Sequence, residues 1–385
     1  MEQAARTLDS EYLDPASPLP QLNTSSALLD VGEALSRFQV RHKVVSLEPR
    51  GLINKSNFCY IHATLQALLS CTPFYHLMRS LSSKIQPRTE RSTIPIIYAL
   101  ADFVSEFSPC ADQLRSSRHR IRELASALTS AFEPLSVHAV LAHVSSNMFR
   151  AAGRQEDAEE FLTCLLNGLQ DEMTKIQKLQ HVKEIKTPIS QIFSGQLRFL
   201  LHRQGAEPTG SVQSFFSLQL DIQKPGITSV EQALESLVAQ DPVVSLTCPK
   251  TGNPVKAWQQ VALELTPPAL ILHLKRFLYD PATGSVKKLL KLITFPVDLN
   301  LNKKLMSAEC RQLKPGFKRY RLFAVVSHTG SESTRGHYMT DAYHSAYQHW
   351  MRYDDSKVTA IKEAAVLRPE PPLVPYILFY RRWQE

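Results

Sequence analysis

The sequence predicts an α+β fold, because apolar residues recur at helical spacing through the first half of the chain and alternate one by one after about residue 190. Helices come first and strands later, with no regular strand and helix alternation, which does not suit a parallel sheet wrapped by crossover helices. No internal repeat is visible. The chain has 385 residues, of which 43% are hydrophobic and 21% charged, so it has the make-up of a soluble globular protein long enough to bury a large core.

The elements follow in order. Residues 1–43 include DPASPLPQLNTSS, rich in Pro and Ser, and read as a flexible lead-in with one short helix near SALLDVGEALSRF; order is expected from about Val44. From Cys59 onward Ile61, Leu65, Leu68 and Leu69 share a helical face, and Pro73 closes that pattern. A helix over 95–107 starts behind Pro95 and aligns Ile96, Ile97, Leu100, Phe103, Val104 and Phe107; shorter helices are expected over 118–131 and 135–145. The clearest helix spans 155–176, with a stripe running from Ala158 through Leu162 and Leu169 to Met173. Glu156, Asp157, Glu159 and Glu160 crowd its first turns, where the helix dipole favours acids by about 0.3–1 kcal/mol each.

Strands are expected at 196–202, in SFFSLQLDI, and at 259–265, 270–279, 320–327, 337–343 and 376–380. SVEQALESLVA interrupts them as a helix whose Ser229 and Gln232 suit a capping box. In LILHLKRF, His273, Lys275 and Arg276 are assigned to the polar face of the strand and to no chemistry.

Several functions are disfavoured. The N-terminus lacks the basic-then-apolar layout of a signal peptide, and the longest apolar runs fall far short of the roughly 18 residues that cross a bilayer. A cytoplasmic protein, with the nucleus as a second compartment and no membrane partner, is expected. Six cysteines at 59, 71, 110, 164, 248 and 310 contain no close pair and no C-x-x-C, so reduced thiols are expected and no zinc site or other cofactor. The spacing of His337, His344 and His349 fits no zinc signature either. The net charge of +8 invites a nucleic-acid partner, but RSSRHRIRE at 115–123 has no interleaved aromatic and reads as a solvated helix face.

What remains is a cysteine at a helix N-terminus. A thiol attacks as thiolate, which a helix N-terminus or a neighbouring imidazole favours. Cys59 has the first; an ordinary buried thiol would look the same from this helix alone. TRGHYMTDAY offers His337 at the start of a strand, and HWMRYDDSKV offers Asp354 and Asp355 after another, so a hairpin joining them would bring an acid to the imidazole.

Five blocks, GLINKSNFCYIHATLQALL, GRQEDAEEFL, LILHLKRF, YRLFAVVSH with GHY, and WMRYDD, stand in the order and rough spacing of the ubiquitin-specific proteases, a family of papain-like deubiquitinases that the chain resembles from about Val44 to YILFYRR. The resemblance implies a catalytic domain over 44–385, with a helical thumb over about 50–190 and a β palm and β fingers over about 190–385. It implies Cys59 as nucleophile, His337 as general base, Asp354 as the residue that orients the imidazole with Asp355 as its fallback, and Asn54 as a side-chain donor to the oxyanion. Gln155, Asp157 and Glu160 match positions that meet the arginines of ubiquitin's tail, and Tyr338 either lines the cleft for the tail's two glycines or packs beneath it. Ubiquitin and ubiquitinated proteins are then the implied partners, and a monomer the default.

Many family members hold zinc in the fingers with two C-x-x-C pairs; the corresponding stretch here offers only Cys248. Three positions depart from the pattern: Ser56 for Gly, His62 for Asn three residues after the cysteine, and Arg335 for Gly. Serine would strain a backbone position that needs glycine, and Arg335 adds bulk beside the tail channel. The alternative they raise is a catalytically weak or inactive ubiquitin-binding scaffold.

Overall fold

A computed structural model describes residues 26–85, 93–110, 129–144, 156–182, 184–243, 255–280, 284–312, 318–332 and 335–383. The helical half contains α1 (Ser26–Ser36), strand β1 (Arg50–Leu52), α2 (Cys59–Leu69), α3 (Thr72–Ser82), α4 (Pro95–Ser105), strand β2 (Thr129–Phe132), α5 (Leu135–Val144), α6 (Ala158–Leu179) and the short α7 (Pro188–Phe193).

The second half contains two larger sheets. One has β3 (Gly195–Arg203), β4 (Ala206–Phe215), β6 (Asp241–Val243) and β7 (Ala257–Leu265) in the order β4-β3-β7-β6. The other, the palm, runs β15-β14-β13-β12-β16-β8-β5, with β11 (Asp298–Asn300) also on β12. Its strands are β5 (Ser217–Asp221), β8 (Ala269–Lys275), β12 (Arg319–Glu332), β13 (Arg335–His344), β14 (His349–Asp354), β15 (Lys357–Ile361) and β16 (Val374–Arg382). The pairings are antiparallel except for β5 with β8.

The palm sheet is buried on both faces. Along β8, Ala269 and Ile271 turn to the core shared with the helices, while Leu270, Leu272 and Leu274 turn to a second core shared with the helix Val230–Leu237. A strand covered on both sides reads as a continuous apolar run, as PPALILHL does. The same coverage corrects the assignment of His273 and Arg276 to a polar face, since both are buried. Arg276 donates from Nε to the Pro375 carbonyl at 2.5 Å, and from Nη1 to those of Leu289 and Lys291 at 3.0 and 2.9 Å, so carbonyls take the place of water at Nε and Nη1.

Other expectations change in detail. Leu28, Val31 and Leu35 of α1 are buried in the main core, so order begins at Ser26 at the latest, ahead of Val44; three apolar residues on one face are enough to dock this helix against α6. Pro73 closes one helix and opens α3 at its first turn, where a missing N–H costs nothing. The expected helix over 118–131 lies outside the described residues up to 128, and its last residues form strand β2, paired with β1. Strand β4 carries no apolar alternation because almost every residue along it is exposed. The capping box at Ser229 and Gln232 is present.

Helix α4 has no side-chain cap of its own; instead the Glu172 carboxylate of α6 accepts from the Ile96 and Ile97 backbone N–H groups, each at 2.9 Å. Burial outweighs these bonds and pushes the Glu172 carboxyl up to about 7. An acid whose folded pKa is raised binds its proton more tightly in the folded state, so it makes the fold lose stability as pH climbs from about 4.5 to about 7. Glu172→Gln removes this term. Thermal melts of parent and variant should therefore diverge in favour of the variant across that window, by up to about 3 kcal/mol, and constant separation would contradict the assignment.

Candidate active site

The residues ahead of α2 set its start. Asn54 Oδ1 accepts from the backbone N–H of Ser56 at 3.0 Å and of Phe58 at 3.3 Å, a local turn that hands the chain into the helix. Ser56 does not have a positive φ, so serine at the glycine position of the pattern carries no backbone strain. Phe58 is the N-cap without a side-chain cap, and Cys59 opens the helix with its thiol buried.

His337 enters from the palm, two residues into β13. Gly336 precedes it because a Cβ there would collide with the imidazole of His328 and the carbonyl of Thr329. His328 is fully buried, in ring contact with Phe277 and Tyr338 at 5.3 and 4.5 Å, and burial, with Lys288 and His337 nearby, pushes its pKa down to about 3. It is a neutral floor under the site.

His337 Nε2 lies 2.5 Å from Asp354 Oδ1, which leaves Nδ1 for the Cys59 thiol, the other hydrogen-bond partner of the ring. Cys59 and then Asp354 raise the imidazole to about 9 against the opposing effect of burial. Thiol, imidazole and carboxylate thus form one hydrogen-bonded chain across the junction of the two halves.

Asp355 follows in the turn between β14 and β15 with φ +48°, a left-handed conformation that Asp tolerates better than most side chains. Simple strand alternation would send neighbouring side chains to opposite faces. The left-handed bend keeps both carboxylates near His337, and ligand atoms of His337, Asp354 and Asp355 lie within 4.8 Å of one another. Asp355 is not a spare for Asp354: its Oδ2 accepts from Asn54 Nδ2 at 2.9 Å and its Oδ1 meets His62 Nδ1 at 2.7 Å. These bonds, with the charges of His62 and His337, hold its pKa below the usual carboxylate value although burial opposes them. His62 Nε2 in turn meets His138 Nε2 at 3.2 Å. His62 and His138 are the members of this network that sequence reasoning missed; the signal was His62 itself, the departure one turn after Cys59.

At the other flank, the Asp157 carboxylate turns inward. It caps α6, accepting from the Glu159 and Glu160 N–H groups at 2.7 and 3.3 Å, and takes the Tyr376 hydroxyl at 2.5 Å. Burial leaves its pKa raised. Glu160 is exposed one turn on, and Gln155 lies outside the described residues. Tyr338 is buried, with ring contacts to His328 and to Tyr376 at 4.5 and 5.9 Å, so it packs beneath the site. Arg335 is exposed at the start of β13. His344 is bonded to the Leu47 carbonyl at 2.7 Å, away from any grouping with His337. Cys248 lies outside the described residues.

A family model described as ubiquitin carboxyl-terminal hydrolase matches residues 50–380, which includes every residue of the thiol, imidazole and carboxylate chain. The chain belongs to the ubiquitin carboxyl-terminal hydrolase family. Among curated members it is 36% identical over 95% of its length to ubiquitin carboxyl-terminal hydrolase 10 of Gallus gallus, and 38% identical over 92% to that of Rattus norvegicus. It spans 52% and 50% of these two relatives, about half the length of each. The fold is also that of the SAGA Ubp8/Sgf11/Sus1/Sgf73 DUB module solved with ubiquitin aldehyde, at TM-score 0.67 and 22% identity over 91% of this chain and 72% of that one.

The His337 geometry predicts its titration. A raised histidine stabilises the fold fully below its unfolded value of about 6.5, and that contribution is lost as pH rises through about 9. NMR titration of the imidazole should give a value near 9 in the parent. The value should fall in Cys59→Ala, and by less in Asp354→Asn; a parent value near 6.5 would rule out the assembled chain.

Proposed function

We propose that this protein hydrolyses the isopeptide bond that follows ubiquitin's C-terminal glycine in protein conjugates. The observation that carries the reading is the Cys59, His337 and Asp354 chain, closed before any substrate binds, within a sequence of this family. The neighbour of like fold is a module solved with ubiquitin aldehyde, which supports ubiquitin as the substrate class.

The steps follow from the positions. His337 draws the thiol proton from Cys59, and Asp354 holds the ring in the tautomer and orientation that allow it. The thiolate attacks the glycine carbonyl. Asn54 Nδ2 gives one hydrogen to Asp355 and turns its second to the oxyanion, together with backbone N–H groups at the start of α2. His337 then protonates the leaving amine, and water releases the acyl-enzyme. Glu160, exposed on the first turn of α6, is the acid open to a basic tail, while Asp157 holds that helix end in place.

The scaffold reading loses two of its three grounds, since Ser56 is unstrained and His62 is bonded into the site; the third, Arg335, stands exposed at the start of β13. Ubiquitin carrying a C-terminal electrophile should form a covalent adduct with the parent and none with Cys59→Ala. Absence of adduct with retained ubiquitin binding would revive the scaffold. Glu160→Arg should raise KM for a ubiquitin substrate with kcat little changed, and an unchanged KM would remove Glu160 from the tail site.

A further inference from the structure

Helix α2 carries Cys59 and, one turn on, His62, so the two side chains share one face; Cys59 meets His337 there and His62 meets Asp355 in the β14–β15 turn. His62 is buried to 2% exposure. A buried imidazole must place both nitrogens, and here each has a partner. Asp355 Oδ1 only accepts, so His62 Nδ1 carries hydrogen. His62 Nε2 meets His138 Nε2 across 3.2 Å, where one ring donates and the other accepts. Burial, with His62 alongside, lowers the His138 pKa to about 4, which keeps that ring neutral. His138 is itself seated against Phe58, ring centroids 4.3 Å apart.

The outcome of this chain lies at Asn54. The Asp355 carboxylate is bridged, one oxygen to His62 and the other to Asn54 Nδ2 at 2.9 Å. A carboxylate at the tip of a two-residue turn would otherwise rotate about its side-chain bonds. The His62 bond fixes the plane of the carboxylate, and so fixes the direction of the amide that it holds.

We propose that His62 is a positioning residue for the oxyanion donor Asn54, acting through the Asp355 carboxylate and held in place by His138. The proposal rests on the assignment of Asn54 to the oxyanion made above. It gives the histidine that stands at the asparagine position of the family pattern a role in the reaction: an asparagine puts its amide nitrogen where the imidazole puts Nδ1, so either residue donates to Asp355, but only histidine reaches on to His138.

Steady-state kinetics on ubiquitin with a C-terminal fluorogenic amide tests this. Asn54→Ala should lower kcat by about 10²- to 10³-fold. His62→Leu, which removes the donor, should lower kcat by about 10- to 100-fold with KM nearly constant, and His62→Asn should recover most of that loss. The decisive measurement is the double variant His62→Leu with Asn54→Ala, which should be no slower than Asn54→Ala alone, because His62 has nothing left to position. Multiplied losses in the double variant, or His62→Asn as slow as His62→Leu, would overturn the proposal. An unchanged kcat in Asn54→Ala would instead overturn the oxyanion assignment. If His62→Leu does not fold, Asp355→Asn replaces it: an amide opposite Asn54 breaks the same bridge and should show the same non-additivity with Asn54→Ala, and independent losses would again overturn the proposal.

Discussion

Everything in the site depends on the registration of the helical half against the palm sheet. Cys59 belongs to a helix of the first, and His337 with its two acids to strands and a turn of the second. A displacement of about 1 Å between reacting groups can cost on the order of 10²-fold in rate, so the seam has to be fixed by directional bonds as well as by apolar burial. The Leu52 N–H donates to the Asp355 carbonyl at 2.8 Å, the Thr340 hydroxyl to the Ala63 carbonyl at 2.6 Å, and the Tyr376 hydroxyl to Asp157 at 2.5 Å. Each crosses from one half to the other within a few residues of the site. The shared core supplies adhesion; these bonds supply position.

Adjacent acids on one turn divide the work. Asp354 holds His337 against the thiol, and Asp355 holds His62 and Asn54 on the helical side. The two roles need opposite directions from consecutive residues, with both carboxylates still near one imidazole. Left-handed backbone at Asp355 meets that requirement at a conformational cost small for Asp compared with a β-branched residue. Two charges so close would repel in isolation. Each accepts an imidazole hydrogen bond, and Asp355 an amide as well, and those bonds hold the Asp355 carboxyl below its usual value although burial opposes them.

Much of this was legible in the sequence, and for definite reasons. The helix at Cys59, the acid-rich start of α6 and the alternating strands follow from periods of 3.6 and 2 that burial enforces. The pairing of His337 with an aspartate followed from two strands close enough in sequence to be neighbours. Local pattern does not encode what depends on distant partners. Arg276 appears polar in sequence, yet it is buried, and the carbonyls that accept from it come from Leu289, Lys291 and Pro375. Asp157 matches a substrate-facing position, yet the hydroxyl that draws it inward sits at Tyr376. His62 stood out only as a departure, because His138 and Asp355 meet it through tertiary packing alone. The short helix at SALLDVGEALSRF is where the sequence puts it, but its docking is not legible there: composition upstream suggests a lead-in, while three apolar side chains suffice to seat it in the core.

Gly51 lies against the backbone of Ser356, where a Cβ would overlap the carbonyl oxygen. Strand β1 therefore presses directly on the turn that carries Asp355, with no side chain between them as padding. That contact makes the turn a latch shared by both halves. Withdrawing β1 would release the support of the amide and the orientation of the imidazole in a single movement.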